Sequence, residues 1–384
     1  MLLQPRSPYS LSTSPYRMKI ELSALTGLRA VAAFMVFLFH VHLRTPLLAL
    51  PWFVGALVFH GALGVTVFFV LSGFLLTYSH LADFADGQLP SSAYFKRFMR
   101  KRVARIYPAY LAGLLLFGGA VAAANSASWQ PSWLTVLANL TMTQSLFPHL
   151  AMSWYGNGAW SISTEMFFYL GFPFLLPLLL RITSPRVLWV LLGVVILAGT
   201  GGGLAYRFWP AHVEYVLMYT HPLFRGSEFI AGMLAGLLVF RFNWRVSEWG
   251  ALALVAVTIV YIIKRGYSLE GYVAHNWLVV PAIVGLLAAL VDAPRTKILR
   301  LLAHPWLVYA GRLSYCFYIA QLPFFVLQDI RLEAHLPLTA WWWSGPAVFA
   351  GTTVVAVLLH HLVELPAHRW LLPKRTQTPI VVQA

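Results

Sequence analysis

Residues 25–42, with the sequence LTGLRAVAAFMVFLFHVH, decide the fold class of this chain. The stretch is apolar enough to form a helix across a bilayer, which takes about 20 residues, yet it carries Arg29 and His40. Their spacing returns the two side chains to within roughly 20° of one helix face, about 16 Å apart along the axis. Either the two residues lie in opposite headgroup layers, or the helix presents both to a functional site, the default interpretation of an ionisable residue in a membrane.

The composition predicts a helical membrane protein. Of the 384 residues, 59% are hydrophobic and only 10% are charged, and the mean hydropathy is +0.72. Continuous apolar runs of spanning length recur along the chain, which indicates helices and excludes the alternating pattern of a β-barrel. The predicted fold class is therefore all-α, a polytopic membrane protein of about ten transmembrane helices.

The charge and cysteine content narrow the range of partners. The net charge of +15 does not require nucleic acid, because basic residues collect in the cytoplasmic loops of membrane proteins. Cys316 is the single cysteine of the chain, which excludes an intramolecular disulfide and a cysteine-based metal cluster. We therefore expect the lipid bilayer as a partner, no nucleic acid and no metal site.

The distribution of Lys and Arg predicts the orientation. With the N-terminus inside, nineteen of the 27 basic residues fall in inner segments and six on the outer side, so both termini are predicted to be cytoplasmic. The chain then divides into a disordered N-terminal extension (1–20), a membrane domain (21–370) and a cytoplasmic tail (371–384), with Met1 or Met18 as the true start. The ten predicted spans are 24–43, 56–78, 108–125, 162–180, 187–206, 222–240, 248–263, 276–291, 306–328 and 343–362.

A dense basic cluster precedes the third span, in YFKRFMRKRVARIYPAY (residues 94–110). One interpretation is a cytoplasmic anchor that attracts anionic lipid headgroups. The other is a phosphate-binding surface for a nucleotide-like donor, because arginine forks match phosphate oxygens. Arg102 and Arg105 share a helix face and are the candidates for that second role.

Two other spans carry candidate cavity residues. The segment GALGVTVFFVLSGFLLTYSH (residues 61–80) mixes glycines with aromatics, which indicates close helix packing and also allows a ligand to approach Ser72. In GNGAWSISTEMFFYL (residues 156–170), Glu165 either stabilises the start of a helix or faces an internal cavity. Tyr169 follows one turn later, on the same side.

The segment PLFRGSEFIAGMLAG (residues 222–236) places Arg225 and Glu228 three residues apart inside an apolar span. Such a pair is most simply an ion pair that neutralises itself within the membrane. Gly232 and Gly236 continue the same face and favour close packing against another helix. We interpret this segment as structural.

Taken together, these stretches resemble the acyltransferase 3 family of integral-membrane O-acyltransferases, which modify sugars, lipids, antibiotics and cell-surface polysaccharides. One motif alone would be weak evidence, but seven occur in order from about residue 24 to 370. The seven are GLRAVAAFMVFLFH, GALGVTVFFVLSGFLL, KRVARIYPAY, WSISTEMFFYL, FRGSEFIAGMLAG, GRLSYCFYIAQLPF and VELPAHRW.

The resemblance implies ten core helices and an acyl-CoA co-substrate, most simply acetyl-CoA, that binds from the cytoplasm without any tightly bound cofactor. The acceptor, a hydroxyl of a sugar, glycan or small molecule, would be reached from the outer side or within the membrane. We expect a multi-pass protein of the plasma membrane, which in bacteria is the inner membrane. The longest outer connection, residues 126–158, is expected to be partly re-entrant or interfacial and to select the acceptor.

Carried over residue by residue, the resemblance implies that His40 is the catalytic histidine and Arg29 its essential partner, with Glu165 in the same site. Arg102 and Arg105 would hold the CoA phosphates together with Arg29. The substrate cavity would also contain Ser72, Tyr169, Tyr315 and Gln321.

Two positions depart from the family pattern. Gln321 stands where many relatives have histidine in an SYxxYxxH motif, so no acid–base chemistry is assigned to it. Thr164 stands where the family often has valine before the motif glutamate. Gln321 in place of histidine leaves open the hypothesis that the chain is a catalytically silent relative that acts as a binding partner.

The expected chemistry is acyl transfer from a thioester to an alcohol. A neutral imidazole suits the removal of the acceptor proton, and a pantetheine arm can cover the ~16 Å from Arg29 to His40 on an ideal helix. His40 acts either as a general base or through an acyl-histidine intermediate. The competing class is a transporter or flippase of a lipid-linked or acylated glycan, against which stands the absence of a recognisable inverted repeat.

Overall fold

The computed structural model describes residues 15–44, 51–84, 88–265, 272–333 and 341–372. Within these ranges the regular elements are helices and no strand occurs, which confirms the all-α fold class. The predicted tail (371–384) lies almost entirely outside the described residues.

Sixteen α-helices follow one another in the described part of the chain, joined by short connections. Single 3₁₀ turns occur at His60–Ala62, Ala82–Phe84, Ala127–Trp129, Gln144–Leu146 and Tyr272–His275, and a π-helical turn covers Leu359–Glu364. The α-helices are α1 (Pro15–Arg44), α2 (Trp52–Phe59), α3 (Leu63–His80), α4 (Ser92–Ala124), α5 (Trp133–Leu140), α6 (Pro148–Ala151), α7 (Gly156–Leu180), α8 (Pro185–Phe208), α9 (Tyr215–Thr220), α10 (Pro222–Phe240), α11 (Glu248–Arg265), α12 (Asn276–Ala289), α13 (Lys297–Leu302), α14 (Pro305–Glu333), α15 (Trp341–Leu358) and α16 (Leu365–Leu371).

Eight helical stretches of the described chain are long and apolar enough to cross a membrane, so the protein is an integral membrane protein. Two more predicted spans correspond to α11, which carries charges at both ends, and to α12, which is shorter. The count of ten and the cytoplasmic position of both termini stay predictions. The eight stretches are Ser23–Arg44, Trp52–His80, Ser92–Ala124, Gly156–Leu180, Pro185–Phe208, Tyr215–Phe240, Pro305–Arg331 and Gly345–Leu371.

The first helix begins earlier than the sequence pattern suggests. It starts at Pro15 and continues without interruption to Arg44, so residues 15–20 of the predicted disordered extension are helical. Proline suits the first turn of a helix, and extending a helix that already exists costs far less than starting one. Residues 1–14 lie outside the described part of the chain. As predicted, Arg29 and His40 belong to a single helix.

The helices α1, α3, α10 and α14 form the centre of the bundle. α1 packs against α14 and α3, and α3 packs along α10. α14 also contacts α4 and α15. These contacts place α1, which carries Arg29 and His40, next to α14, which carries the motif GRLSYCFYIAQLPF.

Two glycines permit the close approach of α3 and α10. A Cβ atom on Gly73 would overlap the carbonyl oxygen of Phe229, and one on Gly232 would overlap the carbonyl oxygen of Val70. These obstacles are backbone atoms, which cannot move aside as the end of a flexible side chain can. The structure therefore confirms that the glycines of both segments serve helix packing.

Gly232→Ala is expected to lower the melting temperature in detergent, because overpacking of this kind costs about 1–3 kcal/mol. Gly201→Ala is the matched control, because a Cβ on this glycine of α8 meets no atom within 4 Å. Equal melting temperatures for the two variants would contradict the close contact between α3 and α10.

Candidate functional site

A narrow cavity, here called the Arg29 cavity, lies among α1, α3, α4, α7 and α14. Its volume is about 60 Å³, room for only a few water molecules. Apolar groups of α3 and α7 form much of its wall. Its polar lining consists of Arg29, Ser72, Arg105, Ser161, Glu165, Tyr169, Ser314, Tyr315 and Tyr318.

Hydrogen bonds hold the carboxylate of Glu165 in the Arg29 cavity. Its Oε1 atom accepts hydrogen bonds from the hydroxyls of Ser72, at 3.0 Å, and Tyr169, at 2.5 Å. Glu165 therefore faces the cavity. It does not stabilise the start of a helix, because α7 begins at Gly156, more than two turns before it. Arg29 and Arg105 line the same cavity, so its lining carries two cationic groups and one anionic group.

The structure divides the basic cluster of α4 into two groups. Lys96, Arg97 and Arg100 are exposed, whereas Arg102 and Arg105 are buried, with 3% and 8% of their surface exposed. The guanidinium of Arg102 lies 5.2 Å from the ring centre of Phe98 and 5.6 Å from that of Tyr169. The exposed cations suit an anchor, and the buried arginines adjoin the Arg29 cavity.

A wider cavity, here called the His40 cavity, lies farther along the same helices. Its volume is about 440 Å³. The connection between α4 and α7 contributes Trp129, Met152 and Trp154 to its wall, so the region expected to select an acceptor does border a cavity. The rest of its lining is Phe39, His40, Leu43, Arg44, Phe117, Asn157, Gly158, Trp160, Tyr215, Tyr219, Leu322, Phe325, Val326 and Asp329.

Aromatic packing positions the imidazole of His40, which has no charged partner among the described residues. Its ring centre is 5.3 Å from that of Phe325 and 5.5 Å from that of Phe39, and its Nδ1 atom is buried without a hydrogen-bond partner in the described chain. One turn later, Arg44 donates to the carbonyl oxygen of His40 at 3.0 Å and forms an ion pair with Asp329 at 2.6 Å. The ion pair joins α1 to α14 at the wall of the cavity.

A thin partition separates the two cavities. The hydroxyl of Tyr318 donates to the carbonyl oxygen of Gly158 at 2.6 Å and is hydrogen-bonded to the hydroxyl of Ser161 at 2.8 Å. Tyr318 and Ser161 line the Arg29 cavity, whereas Gly158 and Leu322 line the His40 cavity. The two cavities therefore adjoin the same faces of α7 and α14, and the hydrogen-bonded side chain of Tyr318 lies where the two linings meet.

The structure brings most of the residues predicted for the site together, but not all of them. Arg29, Ser72, Arg105, Glu165, Tyr169 and Tyr315 line the Arg29 cavity, and Arg102 adjoins it. His40 belongs to the other cavity, so Glu165 does not contact the imidazole. Gln321 is fully buried and lines neither cavity.

Sequence reasoning missed Arg44, Asp329, Ser161 and Tyr318. Arg44 carried a usable signal, because it stands one helical turn after His40. Asp329 lies 285 positions away from its partner, so no local pattern connects the two. The partition likewise depends on the contact between α7 and α14.

The lone cysteine belongs to a buried hydrogen-bonded group. The Sγ atom of Cys316 donates to Oε2 of Glu364 at 3.1 Å, and Nδ1 of His360 lies 2.6 Å from the same oxygen. Ligand atoms that share a tetrahedral ion are about 3.3 Å or more apart, given metal bonds of 2.0–2.3 Å. The three side chains are therefore arranged as hydrogen-bond partners.

Arg225 and Glu228 form the predicted intramembrane ion pair, with 3.0 Å between Nη2 and Oε2 and both side chains fully buried. Glu228 also accepts hydrogen bonds from Thr66, at 3.1 Å, and from Asn276, at 2.9 Å. The guanidinium of Arg225 lies within 5.6 Å of three ring centres, those of Phe69, Trp160 and Tyr219. Since the pair lines neither cavity, the structural interpretation is confirmed.

Comparison with known proteins gives one family. The sequence model of the family described as "Acyltransferase domain" matches residues 22–361. The acyltransferase MdmB of Streptomyces mycarofaciens is 26% identical over 381 residues, which cover 92% of this chain and 93% of MdmB. The peptidoglycan O-acetyltransferase OatA of Listeria monocytogenes is 24% identical over 377 residues, which cover 90% of this chain and 56% of OatA. The chain thus spans little more than half of OatA, and no solved structure matches it.

Glu228→Gln is expected to lower the free energy of unfolding by about 3–5 kcal/mol, because it leaves the buried guanidinium of Arg225 without a counter-charge. The double variant Arg225→Met/Glu228→Gln removes both charges and keeps an amide oxygen for Thr66 and Asn276, so it should recover most of the loss. Thermal unfolding in detergent measures both effects. If the double variant loses as much stability as Arg225→Met and Glu228→Gln lose in sum, the two residues do not act as a pair.

Proposed function

The chain belongs to the acyltransferase family whose model matches residues 22–361, and from this premise we propose that it is a membrane O-acyltransferase. It transfers an acyl group, most simply acetyl, from acyl-CoA to a hydroxyl of a sugar, polysaccharide or other acceptor. The Lys and Arg distribution favours a cytoplasmic position for the Arg29 end of α1, and the proposed location is the plasma membrane, which in bacteria is the inner membrane.

The donor end of the reaction is assigned to the Arg29 cavity and its rim. Arg29 and Arg105 line this cavity together with one carboxylate, that of Glu165, so the lining favours an anion. Arginine forks match phosphate oxygens, and with Arg102 beside Tyr169 they hold the phosphates of CoA. The cavity of about 60 Å³ holds only a few water molecules in this structure, so the pantetheine arm enters it after side chains of its wall move aside.

The acceptor end is assigned to the His40 cavity. This cavity is about seven times as large as the Arg29 cavity, at about 440 Å³ against 60 Å³. Tryptophan and tyrosine rings line it beside Asn157 and the Arg44–Asp329 pair, and such a mixture of apolar faces and hydrogen-bonding groups suits a hydroxyl-bearing ring. The peptidoglycan named for the relative OatA is an acceptor of this class.

His40 is the general base of the proposed mechanism. The imidazole takes the proton of the acceptor hydroxyl as the oxygen attacks the thioester carbonyl carbon, and an oxygen–carbon bond forms. The tetrahedral intermediate collapses, the carbon–sulfur bond breaks, and the departing CoA sulfur takes the proton from the imidazolium. The products are the O-acyl ester and free CoA, and His40 returns to its neutral form.

The observation that carries the proposal is the position of Arg29 and His40. Both belong to α1, and they open onto two cavities that share the walls formed by α7 and α14. A helix is rigid over this length, so it fixes the distance between a phosphate-binding end and a proton-accepting end. Glu165 offsets only one of the two arginine charges of the donor end. It has no contact with His40, because its partners are Ser72 and Tyr169.

His40→Ala is expected to lower acetyl transfer in membranes by roughly 10²–10⁴-fold or more, which is the contribution of a general base. Arg29→Ala should also abolish transfer, through loss of the donor. The protein amount should stay unchanged in both variants. The measurement is radiolabel transfer from acetyl-CoA by purified protein.

The exposed His149 of the α6 segment supplies the matched control, and His149→Ala should transfer acetyl groups at the normal rate. Normal transfer by His40→Ala would remove the proposed mechanism. Movement of a substrate across the membrane without any transfer of label would favour a transporter.

The double variant Arg102→Gln/Arg105→Gln is expected to raise the KM for acetyl-CoA at least tenfold with a smaller change in kcat. A hydrogen bond to a charged group contributes about 1.5–3 kcal/mol, and the variant removes such bonds to the CoA phosphates. The control Arg97→Gln/Arg100→Gln removes the same charge from the exposed face of α4. An equal rise in KM for both double variants would indicate only a general attraction of the anionic donor.

A further inference from the structure

Gln321 was predicted for the site but lines neither cavity, and its amide group has no hydrogen-bond partner within the described chain. The residue is 0% exposed, and both Nε2 and Oε1 are unpaired within the described chain. A buried donor or acceptor without a partner carries its whole desolvation cost. A shorter or apolar side chain would avoid that cost. Gln321 leaves both the donor and the acceptor of its amide unpaired, whereas Gln328 on the same helix leaves only its Oε1 atom, so Gln321 is the stronger candidate to bind a ligand.

The position of Gln321 on α14 places it between the two cavities. Tyr318, one turn before it, lines the Arg29 cavity and forms the partition, and Phe325, one turn after it, lines the His40 cavity. The ring of Phe325 contacts both His40 and Phe37 of α1. Since residues three and four apart share a helix face, Gln321 lies on α14 at a height between Tyr318, which lines one cavity, and Phe325, which lines the other.

The other polar groups of the partition already have partners. The hydroxyl proton of Tyr318 is donated to the carbonyl oxygen of Gly158, and the hydroxyl of Ser161 is hydrogen-bonded to Tyr318. Compared with the hydroxyls of Tyr318 and Ser161, the Nε2 atom of Gln321 differs in having N–H donors without a hydrogen-bond partner in the described chain. It is a donor fully shielded from solvent, and a hydrogen bond to developing negative charge is strongest where water is excluded.

We propose that Gln321 is a further catalytic residue, whose Nε2 group donates a hydrogen bond to the carbonyl oxygen of the thioester after the acyl group has passed Tyr318. This inference rests on the proposed acyl transfer. The acceptor oxygen forms a bond to the carbonyl carbon, its proton passes to His40, and the carbonyl π electrons move to the oxygen held by Gln321. Collapse returns these electrons, breaks the carbon–sulfur bond and releases the CoA sulfur, which takes the proton from His40.

The test compares three variants of the full-length protein in detergent. Gln321→Met keeps the length of the side chain and removes both amide groups, and Gln321→His restores an N–H donor. Gln328→Met is the matched control, because Gln328 lies two turns farther along α14, has an unpaired buried Oε1 atom and lines neither cavity. The measurements are kcat and KM for acetyl-CoA and the melting temperature.

We expect Gln321→Met to lower kcat by roughly 10²–10³-fold, as the loss of one oxyanion donor does, with less than a threefold change in KM. Its melting temperature should stay equal or rise, because the unpaired amide is gone. Gln321→His should retain kcat to within about tenfold, and Gln328→Met should transfer acetyl groups at the normal rate.

The inference is overturned if Gln321→Met keeps a normal kcat, if it changes only KM, or if its melting temperature falls together with its activity. A Gln321→His variant as slow as Gln321→Met overturns it as well, since the donor would then be irrelevant. Failure of the unsubstituted protein to transfer acetyl groups overturns the proposed function and this inference with it. If the unsubstituted protein and Gln321→Met transfer acetyl groups equally well, only the role of Gln321 is overturned and the proposed function stands.

Discussion

A charged side chain in apolar surroundings needs a partner within reach, and this constraint accounts for the way the helices of the protein are arranged. Arg44 of α1 meets Asp329 of α14, and Arg225 is neutralised by Glu228 within α10. The Arg29 cavity is different, because its lining holds two arginines and a single carboxylate. The unbalanced site is the one that favours an anionic ligand, and the balanced pairs hold the bundle around it.

Two cavities of unequal size along one helix suit the proposed reaction between two substrates that differ in polarity. In that proposal the charged part of the donor stays at the arginines, and only its uncharged arm enters the bundle. The proposed acceptor would occupy the wider, aromatic cavity beside His40. Tyr318, hydrogen-bonded to Gly158 of α7, lies where the linings of the two cavities meet.

The basic cluster of α4 shows how far local sequence can be interpreted. The spacing of Arg102 and Arg105 predicted that they share one helix face. The structure buries both residues and leaves Lys96 and Arg97 exposed. Helical periodicity is a local property, so the separation of the faces was predictable. The neighbours of each face were not, because Tyr169 approaches Arg102 from a different helix.

The sequence by itself determined the all-α membrane fold, the family, and the single helix that carries Arg29 and His40, because hydropathy and helical spacing are properties of neighbouring residues. Only the tertiary structure decided that Glu165 belongs with Ser72 rather than with His40, and that Gln321 is buried between two cavities. Those facts depend on contacts between α3, α7 and α14, and residues far apart in the chain leave no periodic signal of their meeting.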